Sequence, residues 1–321
     1  MIRRVFNKRI LGGLLGAATL GIHACKNSHA AIQNVNSNRI SDELFFKLSL
    51  AQWSFHRAIR SGDMDHLEFA AKAKALNFEG IEYVNQFFND KANDKSYLEK
   101  MIQAADKSNV RQLLIMIDGE GGLASVDKAE RQEAVSNHVK WIDAAKFLGC
   151  HSIRVNCYGE GTREEVAVAG IDGLSRLSEI AAKKSINVIV ENHGGYSSDG
   201  LWLSHIIASV KMDNCGTLPD FGNFCLEREG GARWGAPCVS SYDMYKGVEE
   251  MMPFAKAVSA KSFDFDQSGK ETKIDYVKML KIIKASGFSG YIGVEYEGDQ
   301  LSESDGIIKT RDLLINSVKL I

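Results

Sequence analysis

The chain has 321 residues, of which 45% are hydrophobic, 25% charged and only 3 are proline; this mix excludes a disordered or collagen-like polypeptide. Its length suits one large α/β barrel or two smaller domains. Five of the 39 basic residues (Arg3, Arg4, Lys8, Arg9 and Lys26) lie in positions 1–30 with no acid among them. The remaining 34 basic residues face 41 acidic ones, a formal charge of −7 that argues against nucleic acid as a partner.

Residues 1–9 are basic and residues 10–24 apolar, the n-region and h-region of an export signal. Arg3-Arg4-Val5-Phe6-Asn7-Lys8 resembles the bacterial twin-arginine pattern, and Ser28-His29-Ala30 offers a small-x-small cleavage site. Cys25 follows Ile22-His23-Ala24, a poor lipobox because of the histidine, and is a candidate lipid anchor. The expected location is periplasmic, with the N-terminus as the candidate membrane tether. Beyond residue 30 no apolar stretch is long enough to span a bilayer. Positions 31–46 read as a polar linker, and 47–321 as one catalytic domain.

From residue 47 the apolar period switches repeatedly between two and 3.6, the mark of alternating strands and helices. Residues 47–55 read as the first strand and 64–76 as a helix, with Asp63 as its cap. A strand at 80–84, a helix around 95–108 and an apolar strand at 112–117 follow. A long helix at 127–148 closes at Gly149. Strand 152–157, helix 164–184, strand 187–191, helix 201–212 and strand 215–218 come next. An insertion at 225–241 precedes a helix at 242–251. Strand 257–263, helix 274–286, strand 291–296 and helix 305–320 complete the chain.

Eight strand–helix units predict an α/β fold, a single (β/α)8 TIM barrel. A doubly wound open sheet is the alternative, but Gln52-Trp53-Ser54-Phe55-His56 lacks the glycine-rich phosphate turn expected after its first strand. Five cysteines remain after the leader: Cys150, Cys157, Cys215, Cys225 and Cys238. Their spacing matches neither a disulfide framework nor a zinc ribbon. Cys157 and Cys215 read as buried hydrophobes, and one disulfide of undetermined pairing is compatible with an oxidising compartment.

All strand C-termini of such a barrel open on one face, and there Glu191, Asp220 and Glu295 each end a strand. Acids gathered this way call for a divalent cation, a shared proton or proton-transfer chemistry. Alternation puts Glu191 and His193 on one side of the fifth strand, with Asp220, Lys261 and Glu295 at matching depths on the next three. Arg154 and Asn156 on strand four and Glu82 on strand two add polar groups. Lys261 is either a counter-ion for the carboxylates or an electrophile beside a substrate oxygen. His193 either orients a neighbour or contacts substrate. Trp53 and Trp234 are either packing residues or sugar platforms, Trp234 being the one placed in a loop with Arg228 and Arg233.

Glu191-Asn192-His193, Pro219-Asp220-Phe221-Gly222-Asn223, Lys261-Ser262-Phe263-Asp264 and Gly293-Val294-Glu295-Tyr296-Glu297 resemble the xylose isomerase-like barrel superfamily. The resemblance spans most of residues 47–318. It implies a sugar isomerase or epimerase, with an inosose dehydratase-like lyase as the alternative. It also implies a divalent ion held by Glu191, Asp220 and Glu295. The family's fourth ligand is a histidine, and Ser259 stands in its place, which favours Mn²⁺ or Mg²⁺ over Zn²⁺ or Co²⁺. Asn223 occupies the position where the endonuclease branch carries a histidine. The implied mechanism uses Glu191 and Glu295 as acid and base next to a carbonyl, with Lys261 or the metal stabilising the enediolate. Asp220 is then a ligand. His193, Asn223, Arg154, Asn156, Glu82, Trp53 and Trp234 are the expected contacts to a small carbohydrate. A metal-free, non-catalytic carbohydrate-binding barrel is a further alternative, and self-association is left open.

Overall fold

Residues 44–321 are described in the computed structural model; the export signal, Cys25 and all but the end of the linker lie outside the described residues. The chain runs β1 Lys47–Ala51, α1 His56–Ser61, α2 Phe69–Ala75, β2 Gly80–Val84, α3 Lys95–Ser108, β3 Arg111–Met116, α4 Lys128–Leu148 and β4 Ser152–Asn156. It continues through α5 Arg163–Ala182, β5 Asn187–Glu191, α6 Gly200–Val210, β6 Cys215–Leu218, β7 Cys225–Arg228 and β8 Cys238–Ser241. It ends with α7 Met244–Met251, β9 Val258–Ser262, α8 Tyr276–Ala285, β10 Tyr291–Tyr296 and α9 Glu303–Val318. Most helices start at an Asp, Thr or Ser whose side chain accepts backbone N–H bonds. Asp127 caps α4, Asp199 caps α6, and Thr162 forms a reciprocal capping box with Glu165 on α5.

Eight strands form one parallel sheet in the order β6-β5-β4-β3-β2-β1-β10-β9. Its two edges meet: Asp220 pairs with Ser259, Ser259 donates its N–H to Pro219 O at 2.9 Å, and Phe221 donates to Ser259 O at 3.1 Å. That closure makes the sheet a barrel and confirms the (β/α)8 expectation. Strand alternation sorts the side chains. Leu50, Ile153, Val155, Val188, Val190 and Val294 face outward into the large core shared with the helices. Ala51, Val84, Leu114, Met116, Ile189 and Leu218 face inward as a smaller apolar layer. Other inward positions carry Ser49, Glu82, Arg154, Glu191, Ser259, Lys261 and Glu295.

Two local expectations are corrected. The first strand ends at Ala51 and not at residue 55, because Gln52 Oε1 accepts Val84 N at 3.0 Å and the chain turns into a 3-10 turn, Gln52–Phe55, and then α1. The next helix starts later than residue 64. Asp63 is occupied by the Ser61 hydroxyl at 2.8 Å, while Asp65 caps the 3-10 turn His66–Glu68 that leads into α2. The barrel's own packing also begins slightly inside the expected linker, since Phe46 is buried. The insertion at 225–241 is a β7–β8 hairpin tied by a Cys225–Cys238 disulfide, and Cys150, Cys157 and Cys215 are free and buried.

Glu82 occupies a recess within the barrel wall. Its Oε1 accepts the Ser49 hydroxyl at 2.6 Å, its Oε2 has no partner, and a methyl group at Gly293 would stand only 2.6 Å from Oε1. Burial, opposed by the Ser49 bond and reinforced by Glu295, pushes this carboxyl up to about 7 from an ordinary 4.5. The folded chain therefore holds a proton that the unfolded chain loses above pH 4.5. The stability this confers is full below that pH and is lost as pH rises towards 7. We expect melting temperatures of wild type to fall across that window, and Glu82→Gln to flatten that part of the slope in a thermal-melt series.

Candidate active site

The C-terminal mouth of the barrel is lined by the last inward residue of successive strands. Glu295 and Lys261 are register partners on β10 and β9, and Asn156 and Glu191 are partners on β4 and β5. Asp220 follows β6, and its backbone is fixed by Asn192. The Asn192 carbonyl accepts Asp220 N at 2.7 Å while its amide donates to Asp220 O at 3.0 Å. Asp220 Oδ1 in turn accepts the N–H groups of Gly222 and Asn223. Each of Glu191, Asp220 and Glu295 brings an oxygen within 4.8 Å of the others, and all three are buried.

Such a cluster needs compensation. Lys261 Nζ lies 3.1 Å from Glu297, 3.3 Å from Glu295 and 3.8 Å from Asp220. Burial alone would discharge the ammonium, but Asp220, Glu295, Glu297 and Glu191 together hold its pKa well above the usual lysine value. On the other flank Arg154 Nε stands 2.8 Å from Glu191 Oε2, an ion pair whose N–H is not aligned for a hydrogen bond. Asn223 donates to the other Glu191 oxygen at 3.0 Å. Burial nonetheless pushes Glu191 up to about 8, with Arg154 pulling it down and Asp220 and Glu295 pushing it further up. Asp220 rises to about 6 through burial, with Lys261 opposing and Glu295 adding.

Ser259 bridges two of the carboxylates. Its hydroxyl lies 2.7 Å from Asp220 Oδ2 and 2.9 Å from Glu295 Oε2. A hydroxyl has one hydrogen, so both contacts become hydrogen bonds only if one carboxyl carries a proton. As a metal site, the mouth offers three carboxylates with a serine oxygen beside them. An all-oxygen donor set of this kind fits a hard divalent ion and lacks the imidazole a zinc site would draw on.

A second network radiates from Asp118, just past β3. Its Oδ1 accepts from Arg154 Nη1 and from Asn156 Nδ2, each at 2.8 Å, and its main chain is held by Asn85. Burial pushes the Asp118 carboxyl up, yet the Arg154 charge and the hydrogen bonds from Arg154 and Asn156 outweigh it and leave its pKa lowered. With its amide given to Asp118, Asn156 turns its carbonyl oxygen to His193 Nδ1 at 2.9 Å. Nδ1 therefore carries the hydrogen and Nε2 the lone pair. Burial, with Arg154 nearby, keeps His193 well below its usual pKa and hence neutral. The Trp234 ring packs against this imidazole, with centroids 4.5 Å apart.

Of the residues singled out from sequence, Glu191, Asp220, Glu295, Lys261, Arg154, Asn156, His193, Asn223 and Trp234 are joined by these contacts. Glu82 lies fully buried in its wall recess, hydrogen-bonded to Ser49 and outside the contacts that join the others. Trp53, half-buried, stacks on His56, lies under the Arg60 guanidinium and abuts Phe87 over the inner apolar layer, apart from the contacts that join the others. Asp118 and Glu297 escaped the sequence reading. Asp118 stands one position beyond the predicted third strand, where the strand-end rule that found Asp220 would also have found it.

Residues 70–317 match the family profile described as Xylose isomerase-like TIM barrel. No curated protein matches the chain by sequence. Solved structures share the fold at low identity. A sugar phosphate isomerase/epimerase from Parabacteroides distasonis is 14% identical over 85% of this chain and 94% of that one, with a TM-score of 0.63. A 3-keto-D-glucoside 4-epimerase from E. coli is 13% identical over 84% and 98%, with a TM-score of 0.63. A xylose isomerase-like TIM barrel protein from Mycobacterium smegmatis in complex with magnesium is 15% identical over 86% and 97%, with a TM-score of 0.62. The profile match covers seven of the eight barrel strands and every carboxylate of the mouth, so the chain belongs to the xylose isomerase-like TIM barrel family.

Proposed function

We propose that the protein is an enzyme of the sugar isomerase or epimerase type, moving a proton at a carbon next to a carbonyl. The observation that carries this reading is the pair Glu191 and Glu295, which arrive from β5 and β10 and converge around Asp220 with different partners. Glu295 lies against a cation and a hydroxyl, Lys261 and Ser259, and is set to accept a proton as a carboxylate. Glu191, pushed up to about 8 by burial, is set to deliver a proton when no ion is bound, whereas a divalent ion would take its carboxylate in place of that proton. Lys261, charged and buried beside them, supplies a fixed positive field for a developing oxyanion. Asn223, Arg154 and Asn156 hold Glu191 and His193 in place, and the free Nε2 of His193 accepts a hydrogen bond from a substrate hydroxyl.

A divalent ion held by Glu191, Asp220 and Glu295 would polarise the substrate carbonyl, and the magnesium complex of the mycobacterial neighbour supports that assignment. The kinship with isomerases and epimerases of sugars and keto-glucosides supports the reaction class. Elimination from the same enediolate is the second reading, favoured by the open cavity beside His193 described below, which leaves space for a departing group. Export to the periplasm, with Cys25 as an anchor, stays part of this proposal as the setting in which a free sugar or glycoside is the substrate.

Exchange of a substrate C–H for deuterium in D₂O, followed by NMR over a panel of keto-sugars, tests the chemistry. Glu295→Gln and Glu191→Gln should each slow exchange by about a hundred- to ten-thousand-fold without unfolding the barrel. Equal exchange in wild type and both variants would eliminate the enzyme reading in favour of a binding protein. Metal choice is tested calorimetrically: wild type should prefer Mn²⁺ or Mg²⁺, and Ser259→His should raise zinc affinity by about tenfold or more.

A further inference from the structure

Beside His193, and lined by none of the three carboxylates, lies a cavity of about 720 Å³ between the loops after β3, β4 and β5 and the β7–β8 hairpin. It begins where the site stops: Cys157 and Tyr158 follow Asn156, and Gly194 and Gly195 follow His193. Glycine is required at that junction. Gly194 has φ +86°, and a Cβ there would come within 3.3 Å of the Trp234 ring that covers His193. The volume falls within the roughly 300–1,000 Å³ typical of ligand clefts. The carboxylate oxygens, converging within 4.8 Å, engage only the reacting end of a molecule.

The lining indicates what the rest of that molecule is. Tyr158 and Tyr196 contribute rings, and Glu160 and Glu227 contribute acceptors. The lining also holds two arginines, neither ion-paired with an acid among the described residues. Arg228 donates to Ala236 O at 2.8 Å, and the Arg233 guanidinium sits 3.4 Å from the centre of the Tyr158 ring. Asp127 and Glu130, also in the wall, serve α4 and the Ser125 hydroxyl. Four acids against two arginines make a net negative wall, which disfavours a phosphate or carboxylate and suits hydroxyl groups that both donate and accept.

We propose that this cavity is a subsite for a neutral sugar residue, joined glycosidically to the ring that reacts at the carboxylates. The substrate is then an uncharged glycoside and not a sugar phosphate. This rests on the carbohydrate reading above and narrows it.

The full chain is titrated by calorimetry with glucose, galactose and xylose, with maltose, cellobiose and lactose, and with glucose 6-phosphate. The expected result is a disaccharide that binds about tenfold or more tightly than the best monosaccharide, and no gain from the phosphate. Val126→Trp, which places an indole in the cavity wall, should bring the disaccharide-to-monosaccharide affinity ratio towards one. Tyr196→Ala, which removes wall instead of filling space, should lower the same ratio. Equal affinities in wild type, or a ratio that survives both substitutions, overturns the subsite while leaving the carbohydrate reading standing. Tighter binding of the phosphate overturns the neutral-substrate assignment. Absence of binding by every sugar overturns the carbohydrate reading itself.

Discussion

Burying carboxylates together is the costly step on which this barrel mouth depends, and Lys261 makes it tolerable. The ammonium is wedged among Glu295, Glu297 and Asp220, itself almost wholly buried. Removing one member of such a group leaves a buried charge without its partner, which costs several kilocalories per mole in proteins generally. Arg154 plays the same part for Glu191 and Asp118. The two cations divide the mouth into halves, one centred on β9–β10 and the other on β3–β5, and Asp220 and Asn223 connect them.

Ser259 belongs to both the fold and the site. Its backbone pairs across the seam where the sheet closes on itself, and its hydroxyl sits between two carboxylates. A substitution there reads out in barrel closure and in proton placement at once.

Much of this was legible in the sequence. The strands at 187–191, 215–218 and 291–296 were placed to the residue, since each is a short apolar run bounded by polar or turn residues. Glu191, Asp220, Glu295 and Lys261 followed from alternation and strand ends. What stayed hidden depends on contacts between distant segments. The end of β1 is set by Gln52 reaching Val84, and the depth of Glu82 by Ser49 and Gly293 making room for it. Loop position set Trp234 apart from Trp53 as a candidate sugar platform, and the neighbours His56 and Arg60 show how the half-buried Trp53 ring is stacked.

The distribution of cysteines has a consequence for how the chain oxidises. The five cysteines among the described residues could in principle form ten different single pairs. Once the barrel has formed, Cys150, Cys157 and Cys215 are sealed in its interior, while Cys225 and Cys238 face each other across an outer hairpin. Among the described residues, oxidation after folding thus has a single available product, and the barrel acts as the protecting group for its own thiols. A chain oxidised before it folds has no such protection, so the order of the two events decides whether the hairpin wall beside the site is built correctly.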